Sequence, residues 1–521
     1  MPRIDTPGGR ADTRRWLLAS TVTAVYAAVV ITASVYHEPW RDEVVPLSIV
    51  RSASSWAEFT GPLKYEGHPI LWYVVLRAAW AIVGNTWVLK AVGVAAAVGA
   101  VLLFMLSPLP WWLRCLFTFS FFPLYQYSVI SRGYGLEMLL LFAFCALHPY
   151  RRERPLALAL VLAALANTEA LGAILAIAAV ASLVFEHVWR GEVWLPCLRD
   201  RRLVVAAAVF AAGLAFAVVV ASPPPSHRWG SLHELDLAKA VAGIAQAILQ
   251  PAGYAALFPF FFFFLPWPSV WVWGYFLYLT RRPAVLCFCA LAVIGMQTFF
   301  RLIYAPAPWH IGSLVLAIVA AMWLDASAST PRWELSPRLE RVRSWLGRTL
   351  AAGFTVLLAG HVLFGVMQVH GDIARDYSQN RRLAELLHTN PALAGAVVIG
   401  EPDAPVTSLP YYAANSIYLP REGVYRWWLT WAPPRRAAYD LDALLAAARE
   451  VRAQTRRPVV IALGYDLKET GVQTRHPGSR YEETFTIAPE SRDQFRAATR
   501  LLAQLTGPTL TDERYDVYVL R

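Results

Sequence analysis

Charge is scarce in this sequence. Only 16% of its 521 residues are Asp, Glu, Lys or Arg, against about 25% in an ordinary globular chain. A soluble chain of this length would divide into roughly three or four domains, and so few charges could not cover them. Disorder, which needs low hydrophobicity and high charge, is excluded on the same ground. Cysteine is scarce too: Cys115, Cys145, Cys197, Cys287 and Cys289 lie in or beside apolar segments, and none follows Cys289. No disulfide framework can be read from them, and they read as small buried hydrophobes. No collagen-like period and no internal repeat occur. What the chain does have is apolar surface: 57% hydrophobic residues, 21 Trp, 25 Phe and a mean hydropathy of +0.42. Lipid is the solvent that suits it, with aromatic rings to spare for interfacial belts.

A spanning helix needs about 20 mainly apolar residues. Such runs occur at 16–36, 87–106, 111–130, 134–148, 203–221, 258–280, 284–303, 309–325 and 349–369, and the stretch 155–187 supplies two more, broken at Asn167, Thr168 and Glu169. The first run follows Arg14 and Arg15 and lacks a small-residue cleavage site, so it reads as a retained anchor. Net charge is +11, and in a membrane chain its placement matters more than its sum. Nucleic acid is not called for. The clusters Arg14/Arg15, Arg114, Arg151/Arg152/Arg154, Arg190 with Arg199 to Arg202, Arg281/Arg282 and Arg332 to Arg348 all fall on the cytoplasmic side if segment 70–84 lies at the outer interface without crossing. Eleven spans result. The expected architecture is an all-α polytopic domain over 1–370, with an outer loop at 37–86, followed by a small extracytoplasmic α/β domain over 371–521. In that tail, strand-length runs at Ala396 to Gly400, Pro458 to Gly464 and Tyr515 to Leu520 alternate with helical patterns near Gln379 to His388, Leu441 to Val451 and Arg492 to Leu505, which suits an α/β fold. The tail carries no GxGxxG, Walker or zinc spacing.

With that topology the polar residues of the membrane half gather on the outer face. The first loop reads Tyr36-His37-Glu38-Pro39-Trp40-Arg41-Asp42-Glu43 and continues through Tyr65-Glu66-Gly67-His68-Pro69. The second holds Ser131-Arg132-Gly133-Tyr134 and then Glu137; later turns hold Asn167-Thr168-Glu169, Ser226-His227-Arg228, and Arg301 with Tyr304, Trp309 and His310. Ionisable groups at a bilayer are functional candidates by default. Each also has a plain explanation: Asp42, Glu43 and Glu137 as acids at helix starts, Arg132 and Arg301 as snorkelling cations, His310 as an interfacial histidine. As a set they offer an acid to activate an acceptor hydroxyl, cations to hold a phosphate, and rings to stack on a sugar. Soluble sugar nucleotides would be expected on the inner side, so an outer phosphate site suggests a lipid-linked phosphosugar.

The order Asp42-Glu43, His68-Pro69, Arg132-x-Tyr134-x-x-Glu137 after a single span resembles the GT-C superfamily of polyprenyl-phosphate-dependent glycosyltransferases, and within it the protein mannosyltransferase and lipid A aminoarabinose transferase-like group. The resemblance covers roughly residues 16–370. It implies Asp42 as catalytic acid-base with Glu43 beside it. The family's His-Pro and its second-loop basic and acidic positions fall on His68, Arg132 and Glu137, and with Tyr134, Arg301 and His310 from the outer-face set these are the expected donor phosphate and sugar contacts. Ile70 stands where a second proline is common, and Asn167-Thr168-Glu169 where many members have histidine. The implied protein is a multi-pass inner-membrane enzyme with a cytoplasmic N-terminus. Its partners would be a polyprenyl-phosphate sugar donor, a lipid, glycan or protein acceptor, and membrane lipids. No cofactor is called for, although the adjacent carboxylates could take a divalent cation through oxygen. A transporter or lipid flippase would use the same charges to line a pathway, and a scaffold without catalysis would use the tail to bind a partner.

Overall fold

The computed structural model describes residues 10–191, 200–222, 224, 236–253, 267–328, 336–430, 435–478 and 481–521. Phe260 to Phe264, Ser226, His227, Arg228, Arg199, Arg332 and Cys197, and part of the run 258–280, lie outside them.

The membrane part is helical. Its long helices are α1 (Arg10–Tyr36), α5 (Val88–Met105), α9 (Ala170–Trp189), α10 (Arg201–Ala221), α13 (Pro283–Leu302), α14 (Pro308–Ser327) and α15 (Pro337–Ala374). These seven are long and apolar enough to cross a bilayer. The other expected crossings carry shorter helices: α6 (Trp111–Thr118), α7 (Tyr134–Leu147), α8 (Pro155–Ala166) and α12 (Trp267–Leu279). Proline at the first helical turn starts α8, α13, α14 and α15, where its missing N–H would have had no partner anyway. The run 111–130 is not one helix. It ends at Thr118 and resumes as a π-turn over Phe122–Gln126, because Pro123 has no N–H to give and its carbonyl is taken by the Tyr26 hydroxyl at 2.6 Å. The helix expected at 349–369 begins at Pro337, so the basic residues Arg338 to Arg348 form its first turns. A further apolar helix, α11 (Leu237–Leu249), was not legible as an element.

Aromatic stacking centres the bundle. Phe104 lies 4.7 Å from Phe117 and 5.0 Å from Phe142 between ring centroids, with Trp323 against Phe142 at 5.8 Å, which locks α5, α6, α7 and α14 together. At one end of the bundle Arg15 bonds the Leu106 carbonyl, and Glu186 takes both Arg151 and Arg190. At the other end three short helices, α2 (Arg41–Ser52), α3 (Trp56–Glu66) and α4 (Leu71–Val83), form a layer. Their apolar sides meet in a cluster of Val44, Leu47, Phe59, Leu63, Trp72, Tyr73 and Leu76.

The C-terminal domain rests on that layer. Its main sheet has the order β3-β2-β1-β5-β9-β8, with strands β1 (Val397–Glu401), β2 (Ile417–Leu419), β3 (Val424–Tyr425), β5 (Val459–Leu463), β8 (Thr499–Leu505) and β9 (Tyr515–Leu520). Strands β2, β1 and β5 are mutually parallel, and β9 and β8 are antiparallel additions. Period-two alternation sends Val397, Ile399, Val459 and Ile461 to one face, against Leu444 and Leu445 of α17 (Leu441–Thr455) and Phe495 of α18 (Pro489–Ala498). Val398, Val460 and Ala462 go to the other, against Leu383 and Leu387 of α16 (Asn380–Thr389). A second sheet of β4 (Ala438–Asp440), β7 (Tyr481–Ile487) and β6 (Gly471–Gly478) lies beside it. The helical pattern at Arg492 to Leu505 is corrected: helix stops at Ala498 and the remainder is β8, paired with β9 from Thr499↔Leu520 to Leu505↔Tyr515.

Candidate active site

The site begins where α1 stops. Pro39 ends the helical path, Trp40 is extended, and α2 starts at Arg41. Asp42 and Glu43 therefore stand in a first turn, and neighbours on a helix point about 100° apart. Glu43 turns inward and is fully buried. Its Oε1 accepts the Trp40 N–H at 3.2 Å and meets His37 Nε2 at 2.8 Å, and its Oε2 accepts the Ser131 N–H at 2.5 Å. Asp42 turns the other way, its side chain a third exposed, and its Oδ2 lies 3.3 Å from Arg132 Nη1. The two carboxylates do not converge on one point. Among the described residues no group of three or more His, Cys, Asp or Glu is arranged to hold a metal.

Arg132 sits between rings, its guanidinium carbon 5.4 Å from the centroids of both Tyr134 and Trp309. Burial opposes its charge, and Tyr134, Asp42 and Glu169 more than offset that, so it is held above the usual guanidinium range. Next to it, a Cβ at Gly133 would come 2.5 Å from Glu169 Oε1, so a larger residue there would have to displace that carboxylate. Glu169, from the turn between α8 and α9, accepts from His68 Nδ1 at 2.7 Å. Burial disfavours the His68 cation, but the Glu169 carboxylate outweighs it and raises the imidazole above its usual range. Burial also pushes the Glu66 carboxyl up to about 7, with His68 acting in the opposite direction. His310 closes the group. Its Nδ1 accepts the Ala307 N–H at 2.8 Å, which leaves the ring proton to Nε2, and its ring lies 6.1 Å from Tyr134 and 5.3 Å from Tyr304. Trp40 meets Trp309 edge-on at 6.0 Å.

Asp42, Arg132, Tyr134, His68 and His310 thus belong to one neighbourhood. Glu137 lies deeper and is fully buried, bonded to Ser313 Oγ at 2.6 Å between α7 and α14. Arg301 reaches the Gln250 carbonyl at 3.4 Å. The outer-loop pattern gave no role to a second, buried cluster. In it His37 bridges Glu43 and Asp372, each at 2.8 Å, and Lys90 Nζ donates to the carbonyls of Ser34 and His37 at 2.6 and 2.7 Å. Burial opposes the His37 cation, but the two carboxylates win and push it up to about 10. His37 and Glu169 were visible as polar residues in outer turns; Asp372, 335 positions from His37, had no local signal.

The C-terminal domain also holds this loop. Glu38 Oε2 accepts the N–H groups of Tyr377 and Ser378 at 3.0 and 3.1 Å. The Arg41 N–H donates to Glu513 Oε1 at 2.9 Å, and Arg41 Nη1 to Asp512 at 2.5 Å. Buried Glu513 is itself fixed by Ser378, Ser408 and Asn380 at 2.5, 2.8 and 3.1 Å.

No protein-family model matches the chain, and no curated protein matches it. Among solved structures it is similar to the crystal structure of ArnT from Cupriavidus metallidurans bound to undecaprenyl phosphate. The match takes in 96% of this chain and 97% of that chain, at 14% identity and a TM-score of 0.49.

Proposed function

We propose that the chain is a membrane glycosyltransferase that moves one sugar from a polyprenyl-phosphate donor to an acceptor hydroxyl on the outer face. The observation that carries this reading is the half-open pair of Asp42 and Arg132, a carboxylate 3.3 Å from a ring-flanked guanidinium. A base and a phosphate anchor so placed can serve the two ends of one displacement. The acceptor oxygen attacks the anomeric carbon from the face opposite the phosphate, and its proton passes to Asp42. The bond from carbon to phosphate oxygen breaks with its electron pair, and polyprenyl phosphate leaves with the sugar's configuration inverted. Arg132 takes the phosphate oxygens as a planar fork, and His68, whose cationic form the Glu169 carboxylate favours, offers the phosphate a second donor. Trp309 and Trp40, both half-buried, provide faces for the sugar, and buried Tyr134, stacked on Tyr127, backs Arg132. Glu43 and Glu137, both fully buried, act as positioning residues. His310 packs against Tyr304 beside this group, and Arg301 stands one turn before Tyr304 at the end of α13. The acceptor class stays a lipid, glycan or protein.

The test is sugar transfer by purified chain from a labelled lipid-phosphate donor. Asp42→Asn should lose about 100- to 10,000-fold in rate while melting at the temperature of the wild type. A flippase would instead move the intact donor between leaflets with no bond cleaved. Placement of the tail is checked separately: a cysteine introduced at exposed Leu501 should react with an impermeant thiol reagent in intact spheroplasts. Labelling only after lysis would refute the outer location.

A further inference from the structure

At the end of the bundle opposite Asp42, α12 and the first turns of α15 enclose a shallow groove. It is lined by Tyr278, Arg281, Arg343, Ser344, Gly347 and Arg348. Tyr278 is its floor. The guanidinium carbons of Arg281 and Arg343 lie 5.1 and 5.4 Å from its ring centroid, and its hydroxyl accepts from Arg281 Nη2 at 3.1 Å. Glycine at 347 permits this approach, since a Cβ there would stand 2.8 Å from the ring.

The charges around the ring do not balance. Arg281 and Arg282 share Asp325 at 3.2 and 3.4 Å, and Arg343 pairs with Glu340. Arg348 lines both this groove and an adjoining one with Arg341. Three arginines therefore line the groove, and of these Arg281 and Arg343 already have a carboxylate, in Asp325 and Glu340, whereas Arg348 has none among the described residues. An anion with several acceptor oxygens would supply what is missing, and guanidinium groups recognise phosphate oxygens through paired donors.

The flanks of the groove indicate what carries that anion. Leu277 on α12 is 62% exposed, and Val342 and Trp345 on α15 are each 61% exposed. A free phosphate has no use for such a border, whereas acyl chains do, and basic pockets between spanning helices suit anionic headgroups. We propose that this groove binds the phosphate headgroup of an anionic glycerophospholipid, its chains lying along the exposed sides of α12 and α15. The site does not depend on the glycosyltransferase reading.

The experiment uses the full chain purified in detergent. Its melting temperature is followed during titration with a phosphatidylglycerol, a phosphatidylcholine or inorganic phosphate. The phosphatidylglycerol should raise it saturably, since a ligand of the folded state stabilises by mass action; the other two should leave it unchanged. Arg343→Gln with Arg348→Gln should weaken the apparent affinity about ten-fold or more. Arg201→Gln with Arg202→Gln, which removes two exposed charges from another basic turn, should not. Equal loss in both pairs would reduce the effect to general surface charge. Equal protection by inorganic phosphate would remove the lipid from the assignment, and equal protection by phosphatidylcholine would remove the charge. If the Arg343/Arg348 variant does not fold, a photoreactive phosphatidylglycerol on the wild type decides. Adducts should concentrate on peptides containing Leu277 to Arg281 and Val342 to Arg348, and an even spread over all basic turns would overturn the site.

Discussion

His37 is a histidine in an unusual position: fully enclosed, with a carboxylate on each ring nitrogen at 2.8 Å. Two carboxylates and one imidazolium leave a single negative charge, and the Lys90 ammonium against the His37 carbonyl lies close to balance it. Because the folded pKa is raised to about 10 from an ordinary 6.5, the folded chain holds this proton more tightly than the unfolded chain. The stability it contributes is fully present below about 6.5 and is lost as pH rises through about 10. Thermal melts across that window should therefore fall more steeply for the wild type than for His37→Gln. Parallel curves would mean that the imidazole is neutral in the fold. Glu43, which shares this network, was legible as an acid beside Asp42 but not as its opposite. Nothing local distinguishes two adjacent carboxylates until a helix turn points one at His37 and the other at Arg132.

At the scale of elements, long apolar runs were the most readable feature because lipid demands them in every spanning helix. The central strands β1, β5 and β9 were readable because a strand buried on both faces is a short continuous apolar run. Strand β8 was missed for the converse reason: its sequence, Thr499 to Leu505, continues a helical pattern from α18, and only pairing with β9 makes it extended. The turn Ser131-Arg132-Gly133 was legible as polar, but its tightness was not. It takes a Glu43 oxygen on one side and lies against Glu169 on the other. Gly133→Ala should consequently push Glu169 off His68, since 2.5 Å is closer than a Cβ tolerates. Transfer should fall about 10- to 100-fold, as expected for a sub-ångström misplacement of reacting groups, and the His68 imidazole should titrate at lower pH by NMR. An unchanged titration would show that the His68–Glu169 pair survives and that the turn can yield.

For the whole molecule, the main feature is that the two domains share one loop. Glu513 holds the backbone of Arg41, the residue before Asp42, and is itself fixed by three donors inside the C-terminal domain. On the glycosyltransferase reading it is a positioning residue. Glu513→Gln should lower kcat about 10-fold or more with little change in the KM for donor, since it touches neither donor nor acceptor. A rise in KM alone would place it elsewhere. The pairing also orders events in time. Arg41 and Glu513 are 472 positions apart, and at roughly 5–20 residues per second synthesis takes about 20 to 100 s to pass from one to the other. For that interval the loop bearing Asp42 has left the ribosome without its clamp. If the chain is the proposed transferase, a nascent chain carries an unfinished reaction centre until the last strands of the sheet have formed, and competence for transfer arrives together with completed folding of the tail.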